Sequence, residues 1–296
     1  MRFETTTRAS VSLSGVGLHT GRNIHVNLHP AAERTGIVFH RTDVGAAIPA
    51  LVESAGRLEY ATALGEPGRD VSTVEHFLAA CYGEGIDNLV VEVDGPEMPV
   101  LDGSSLPWLE LLDKAGRVEL SLPVVPLKVQ APLVVNGFPG KYLEIKPSDD
   151  FRVTYVIDFP HPAIGKQAIT VVVTPESFRK HLAAARTFGF LSEYEYLKSK
   201  GLARGASAEN CIVIGEAGVE NGELRYADEF VRHKALDLIG DMALVGRPVL
   251  GHVIAHRAGH RMHAELSRQL REESGAAMVG LSFDGERELS GSVSVR

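Results

Sequence analysis

DEFVRHKALDLIGD, residues 228–241, reads as a helix apolar around most of its circumference, interrupted by His233, Lys234, Asp237 and Asp241. At about 100° per residue they fall within an arc of roughly 100° on a helix. Val231, Ala235, Leu236, Leu238, Ile239, Met242 and Ala243 cover most of the rest. Such a helix is largely buried and presents one narrow polar strip. Residues at i and i+4 on one face can reach the same cation, as the two histidines of H-E-x-x-H do. Imidazole nitrogen and carboxylate oxygen both suit Zn²⁺, so His233 and Asp237 are candidate ligands. The same spacing also describes a solvated strip with a His–Asp pair, and two ligands are one too few. STVEHFLAACYGEG, residues 72–85, offers a third in His76, with Glu75 beside it as a base. Here too a plainer reading stands. Ser72 and Glu75 have capping-box spacing, which would spend Glu75 on starting a helix. His76, between Val74 and Phe77, also fits a buried structural histidine.

A rival constellation is His252, His256 and His260, spaced every four residues. Gly251 and Gly259 flank a β-branched centre, Val253 and Ile254, which favours a strand ending in a glycine turn. On a strand His252 and His256 share a face and His260 lies beyond it. After Ala258-Gly259, His260 is placed to enter a cleft as an acid or base. ARTFGF, residues 185–190, follows a helix and precedes a loop rich in Leu and Tyr. It reads either as an ordinary helix exit or as a hydroxyl, Thr187, near the chemistry with an apolar wall begun by Phe188.

The elements that must position these residues follow from patterning. NIHVNLHP alternates, SVSLSGVG alternates before it, and the glycine-bracketed GLHTGR between them predicts a hairpin. STVEHFLAACYGEG predicts a helix, NLVVEV a strand, DGPEMPVLDGSS a loop, and LPWLELLDKAG a helix ending at Gly116. Three prolines in residues 120–133 predict a linker with extended ends, and a boundary at about Pro126. The second half repeats the grammar. APLVV, KYLEIKP, FRVTYVIDF and AITVVV are strands, and TPESFRKHLAAART is a helix with Thr174 as N-cap and Pro175 at its first position. A loop over 188–207, the strand NCIVI, the polar-strip helix, the strand GHVIAH and a last helix HAELSRQLREE follow. Strands followed by helices in each half predict an α+β fold of two similar-sized domains, 1–125 and 126–296.

Bulk properties narrow the function. The 296 residues are 44% hydrophobic with 30 glycines and 15 prolines, an ordinary globular composition. A net charge of −8 argues against bulk nucleic-acid binding and leaves room for a local basic patch. No apolar run reaches the ~18 residues of a membrane span, and MRFETTTRAS has no apolar signal core. Two widely separated cysteines, Cys81 and Cys211, suggest a reducing compartment. A cytoplasmic monomer is the expectation.

The chain resembles the UDP-3-O-acyl-N-acetylglucosamine deacetylases, zinc enzymes that commit bacteria to lipid A synthesis. The matching stretches are SGVGLHTG (14–21), STVEHFLAA (72–80), GIDNLVVEV (85–93), PVLDGSS (99–105), DFPHPAIG (158–165), ARTFGF (185–190), EFVRHKALDLIGD (229–241) and AGH (258–260). They run in order over nearly the whole length, and the set is more specific than any single motif. The resemblance implies one Zn²⁺ held by His76, His233 and Asp237, with Glu75 as general base. It implies that His260 is the electrostatic and general-acid histidine, Asp241 its orienting carboxylate, and Thr187 the hydroxyl supporting the oxyanion. Lys234 and, on a looser match, Lys141 would face the substrate's phosphates. Phe159 would touch the nucleotide, Phe188 would line the acyl passage, and His19 belongs to the opening motif. The implied fold is two α+β domains with helices sandwiched between the sheets and the metal between the domains. Departures lie in the loop after Thr187 and near EYATALGEPG (59–68), which shape the acyl passage and the rim. The implied substrate is an amphiphilic UDP-sugar. Two other readings remain: a zinc amidohydrolase for a different acylated amino sugar, and a non-catalytic protein whose zinc joins two domains. The second would normally have a closed site with four ligands, often cysteine.

Overall fold

Alternation does what the pleat requires: Ile24, Val26 and Leu28 share one face of a strand and are fully buried. The computed structural model describes residues 2–137 and 139–275. In its first half the strands are β1 (Phe3–Thr7), β2 (Val11–Val16), β3 (Asn23–Pro30), β4 (Ile37–Arg41) and β5 (Ala46–Pro49). Then come α1 (Glu75–Glu84), β6 (Leu89–Val93), α2 (Leu106–Ala115) and β7 (Arg117–Pro123). The second half opens with β8 (Leu127–Lys128), β9 (Leu133–Asn136), β10 (Tyr142–Lys146), β11 (Phe151–Phe159) and β12 (Gly165–Val172). It continues with α3 (Pro175–His181), β13 (Phe188–Phe190), α4 (Leu191–Ser199) and β14 (Ile212–Ile214). It ends with α5 (Glu229–Met242), β15 (Val249–His256) and α6 (His260–Glu273).

The fold is α+β. One sheet has five strands in the order β2-β3-β6-β4-β5, and β2–β3 is the expected hairpin. The other has six: β12-β11-β15-β10-β9, with β8 beside β15. Two smaller pairs, β1–β7 and β13–β14, complete the ladders among the described residues. In every one of these ladders both partners lie on the same side of residue 126.

Helices α1 and α5 pack on each other between the sheets. Phe77 of α1 meets Phe39 of β4 edge-on at 6.0 Å, while α5 lies on β11 and β12. Both helices are buried on nearly every side. Fully buried Leu236, Leu238 and Ile239 each contribute roughly 1.5–3 kcal/mol to holding the helix in this layer. Gly240 sets the approach of the two helices: a Cβ there would lie 2.0 Å from the carbonyl oxygen of Glu75. No helix of the described residues is long and apolar enough to cross a membrane.

Several local expectations are corrected. The Ser72–Glu75 capping box does not form. Thr73 turns into the left-handed region at φ 57°, the helix begins at Glu75, and the Ser72 hydroxyl donates to the Pro96 carbonyl. The Glu75 carboxylate is thus not spent on capping the helix. The helix from Thr174 has its cap, completed by Ser177, but stops at His181. Residues 191–199 form α4 rather than loop; no residue of it is buried, so no apolar stripe announced it. The last helix starts at His260, three residues early, with Gly259 as N-cap. β1, β4 and β5 were not expected at all.

Candidate active site

His76 in the first turn of α1 meets His233 and Asp237 in the middle of α5. Asp237 Oδ1 lies 3.3 Å from His233 Nε2 and 3.6 Å from His76 Nε2. The two imidazoles stand edge-to-face with centroids 5.0 Å apart. All three side chains are buried, and the three donor atoms converge closely enough to share one metal ion. Donors at about 2.0–2.1 Å around a tetrahedral centre are about 3.3 Å from each other, close to these separations. Asp237 Oδ1 is buried without a hydrogen-bond partner, an orphan that a cation between the three groups would satisfy. Burial lowers the His233 pKa to about 3, so the ring is neutral and its nitrogen lone pair is available. Its Nδ1–H donates to the Ala185 carbonyl at 3.1 Å, which leaves Nε2 bare on the metal side. The donor set therefore fits a metal ion.

The loops expected to carry chemistry support this group. Ser105 of PVLDGSS donates to the His76 carbonyl at 2.7 Å. Thr187 is held by its backbone: its N–H donates to Gly103 and its carbonyl accepts from Ile212, both at 2.8 Å. It stands between Ala185, which bonds His233, and Phe188, whose ring lies 6.3 Å from the His233 ring. Buried Glu229 fixes the same turn, accepting from the Arg186 backbone and guanidinium and from the Arg225 N–H.

Glu75 is buried, and burial raises its carboxyl pKa. Its Oε2 accepts the Thr62 N–H at 3.0 Å. Asp241, one turn beyond Asp237, accepts from His260 Nδ1 at 2.7 Å and His263 Nδ1 at 2.8 Å on a single oxygen. Burial alone would lower the His260 pKa; the Asp241 carboxylate overcomes it and raises the imidazole to about 9. Burial opposes ionisation of Asp241 too, and the two histidines bring it down to about 2. His263 and Thr62 were missed in the sequence. A helix begun at His260 would have paired His263 with it at i+3; nothing in EYATALGEPG marks Thr62.

The remaining candidates spread outward. Lys234 Nζ sits 2.9 Å from Asp237 Oδ2 and 5.5 Å from the centre of the Phe188 ring. Its ammonium thus neutralises the outer oxygen of Asp237. Phe159, at the end of β11, packs on Phe188 at 5.8 Å and on Phe190 at 5.9 Å. Lys141 is exposed just before β10. His19 is buried in the turn after β2 with its Nε2 unpartnered, and its backbone N–H is bound to Glu97 at 2.8 Å. The rival triple is not assembled: His252 bonds Thr154, His256 bonds the Gly140 carbonyl, and only His260 turns to the site.

The sequence pattern of the family described as UDP-3-O-acyl N-acetylglycosamine deacetylase matches residues 4–272. The UDP-3-O-acyl-N-acetylglucosamine deacetylase of Solibacter usitatus is 47% identical over 268 residues, 90% of this chain and 90% of its own. That of Syntrophotalea carbinolica is 44% identical over 299 residues, 100% of this chain and 96% of its own. That of Myxococcus xanthus is 46% identical over 266 residues, covering 88% and 84%.

Proposed function

The chain belongs to the UDP-3-O-acyl N-acetylglycosamine deacetylase family, and from that premise we propose how its residues carry out the reaction. It hydrolyses the acetamide of UDP-3-O-acyl-N-acetylglucosamine to acetate and the free 2-amino sugar nucleotide, in lipid A biosynthesis. The ion we assign is zinc, held by His76, His233 and Asp237; the observation that carries this is the orphaned Oδ1 of Asp237 between two imidazole nitrogens. When bound, zinc supplies Lewis acidity that polarises a carbonyl and lowers the pKa of water.

Glu75, raised by burial and within one residue of a ligand, takes the proton of the attacking water. Thr187 donates its hydroxyl to the oxygen where negative charge develops. His260, kept protonated by Asp241, stabilises that charge and delivers a proton to the departing amine. Lys234 and Lys141 bind the diphosphate, Phe159 the nucleotide, and His19 and Phe188 the rest of the substrate. Phe188, whose ring lies beside His233, and the apolar residues after it offer the acyl chain an apolar wall. The free cysteines Cys81 and Cys211 suit a reducing cytoplasm. We also divide the chain at about Pro126 into domains 1–125 and 126–296, supported by strand pairing that stays within each part. A monomeric enzyme is part of the same reading.

The decisive experiment measures zinc content and acetate release from UDP-3-O-acyl-N-acetylglucosamine together. The parent should hold one zinc and release acetate; His233→Ala and Asp237→Ala should lose both. Stoichiometric zinc in both variants would refute the ligand set. Preference for a substrate without the UDP or acyl group would refute the substrate.

A further inference from the structure

Thr62 is fully buried in the segment between β5 and α1. It bonds to both halves of the proton-transfer machinery. Its backbone N–H donates to Glu75 Oε2 at 3.0 Å. Its hydroxyl donates to Asp241 Oδ1 at 2.5 Å, and the hydroxyl oxygen, Thr62 Oγ1, is 3.2 Å from His260 Nδ1. The segment is pinned around it. Leu64 bridges to Ala55 and Val71, Gly56 donates to Ala63, and Ala63 donates to Arg57.

Asp241 Oδ2 already serves His260 and His263, whereas Oδ1 has Thr62 as its side-chain donor. Remove that hydroxyl and a buried carboxylate oxygen loses its donor, leaving the carboxylate free to rotate about its Cβ–Cγ bond. A rotated carboxylate no longer holds the His260 Nδ1 proton in line. With Nδ1 held, Nε2 is the nitrogen left for the substrate.

We propose that Thr62 is a positioning residue for the hydrolysis: its hydroxyl locks the Asp241 carboxylate that orients His260, while its main chain aims Glu75. The proposal rests on the roles given above to Glu75 and His260. It adds a residue from the first half of the chain that fixes base and acid relative to each other.

The test compares Thr62→Val, which removes the hydroxyl at nearly constant shape, with Thr62→Ser, which keeps it. Thr62→Val should lower kcat roughly 10- to 100-fold, the scale of a hydrogen bond to a charged group. KM and zinc content should not move, and Thr62→Ser should restore most of the rate. In an Asp241→Asn background the same Val substitution should cost little, since both act through one carboxylate. In metal-free protein with ¹⁵N-labelled histidine, the His260 ring resonances should shift in Thr62→Val and stay in place in Thr62→Ser. A parental kcat in Thr62→Val, an additive loss with Asp241→Asn, no rescue by Ser, or unmoved His260 resonances would each overturn the proposal. Should the Val variant fail to fold, Thr62→Ala takes its place. Glu75→Gln and His260→Gln separate the two levels: near-parental rates there sink the underlying roles, whereas loss there with a parental Thr62→Val sinks Thr62 alone.

Discussion

Glu75 and Asp241 are both buried carboxylates, and their neighbours push them in opposite directions. Glu75 is raised, chiefly by burial, whereas Asp241 is brought down to about 2 because two imidazoles outweigh its burial. Carboxylates separated in this way are suited to different tasks, one exchanging protons and one keeping its charge. Glu75→Gln removes the exchangeable site and leaves His76, His233 and Asp237 intact. It should retain zinc and lose about 10²- to 10⁴-fold in kcat; a parental rate of acetate release would count against the assignment. Asp241→Asn should also keep its zinc. The carboxylate is what raises His260 to about 9 against its burial. A rate that needs imidazolium is present below that value and falls as pH rises through it. Without the carboxylate its largest upward influence is gone, so the alkaline limb of the pH–rate profile should move to lower pH and kcat should fall. An unmoved limb would break the link between the two residues.

At the scale of elements, the metal group depends on how closely α1 and α5 approach. Gly240 permits it, because a Cβ there would meet the Glu75 carbonyl oxygen at 2.0 Å, backbone against backbone. Gly240→Ala must push the helices apart, and overpacking of this kind costs about 1–3 kcal/mol. Because His76 sits on one helix and His233 and Asp237 on the other, the same shift opens the ligand set. Zinc affinity should therefore fall along with the melting temperature. A variant that melts lower but binds zinc as tightly as the parent would show that helix spacing and ligand geometry are independent. The turn carrying Thr187 depends on a separate device, buried Glu229 holding Arg186. That pair is internal to the second half of the chain.

In the whole molecule the proposed ligands come from residue 76 and, far along the chain, from residues 233 and 237, which meet in the layer between the sheets. An ion bound there belongs to the folded state alone and stabilises it by mass action, about 2.7 kcal/mol at a hundredfold excess over Kd. Chelation should lower Tm by several degrees, and restoring zinc should recover both Tm and acetate release. No change in Tm on chelation would place the metal elsewhere. Much of this arrangement was legible in the sequence. The periodicity of residues 228–241 marked a helix with one polar strip, and alternation marked β3, because both repeats are local and set by backbone geometry. The proposed metal ligands were readable as a spacing with alternatives still open, and the resemblance to the family favoured one of them. What the sequence did not carry was the freeing of Glu75 from a capping box, the start of α6 at His260, the exposed helix α4, and Thr62 and His263 around Asp241. Apart from α4, which has no apolar stripe, each depends on a partner outside its own element: Pro96 for Ser72, and Asp241 for His260, His263 and Thr62. The sequence by itself determined the residue types, the helix faces and the reaction class. Only the tertiary structure decided which buried polar atoms meet, because a buried donor or acceptor is paid for by whichever partner the packing brings within bonding distance.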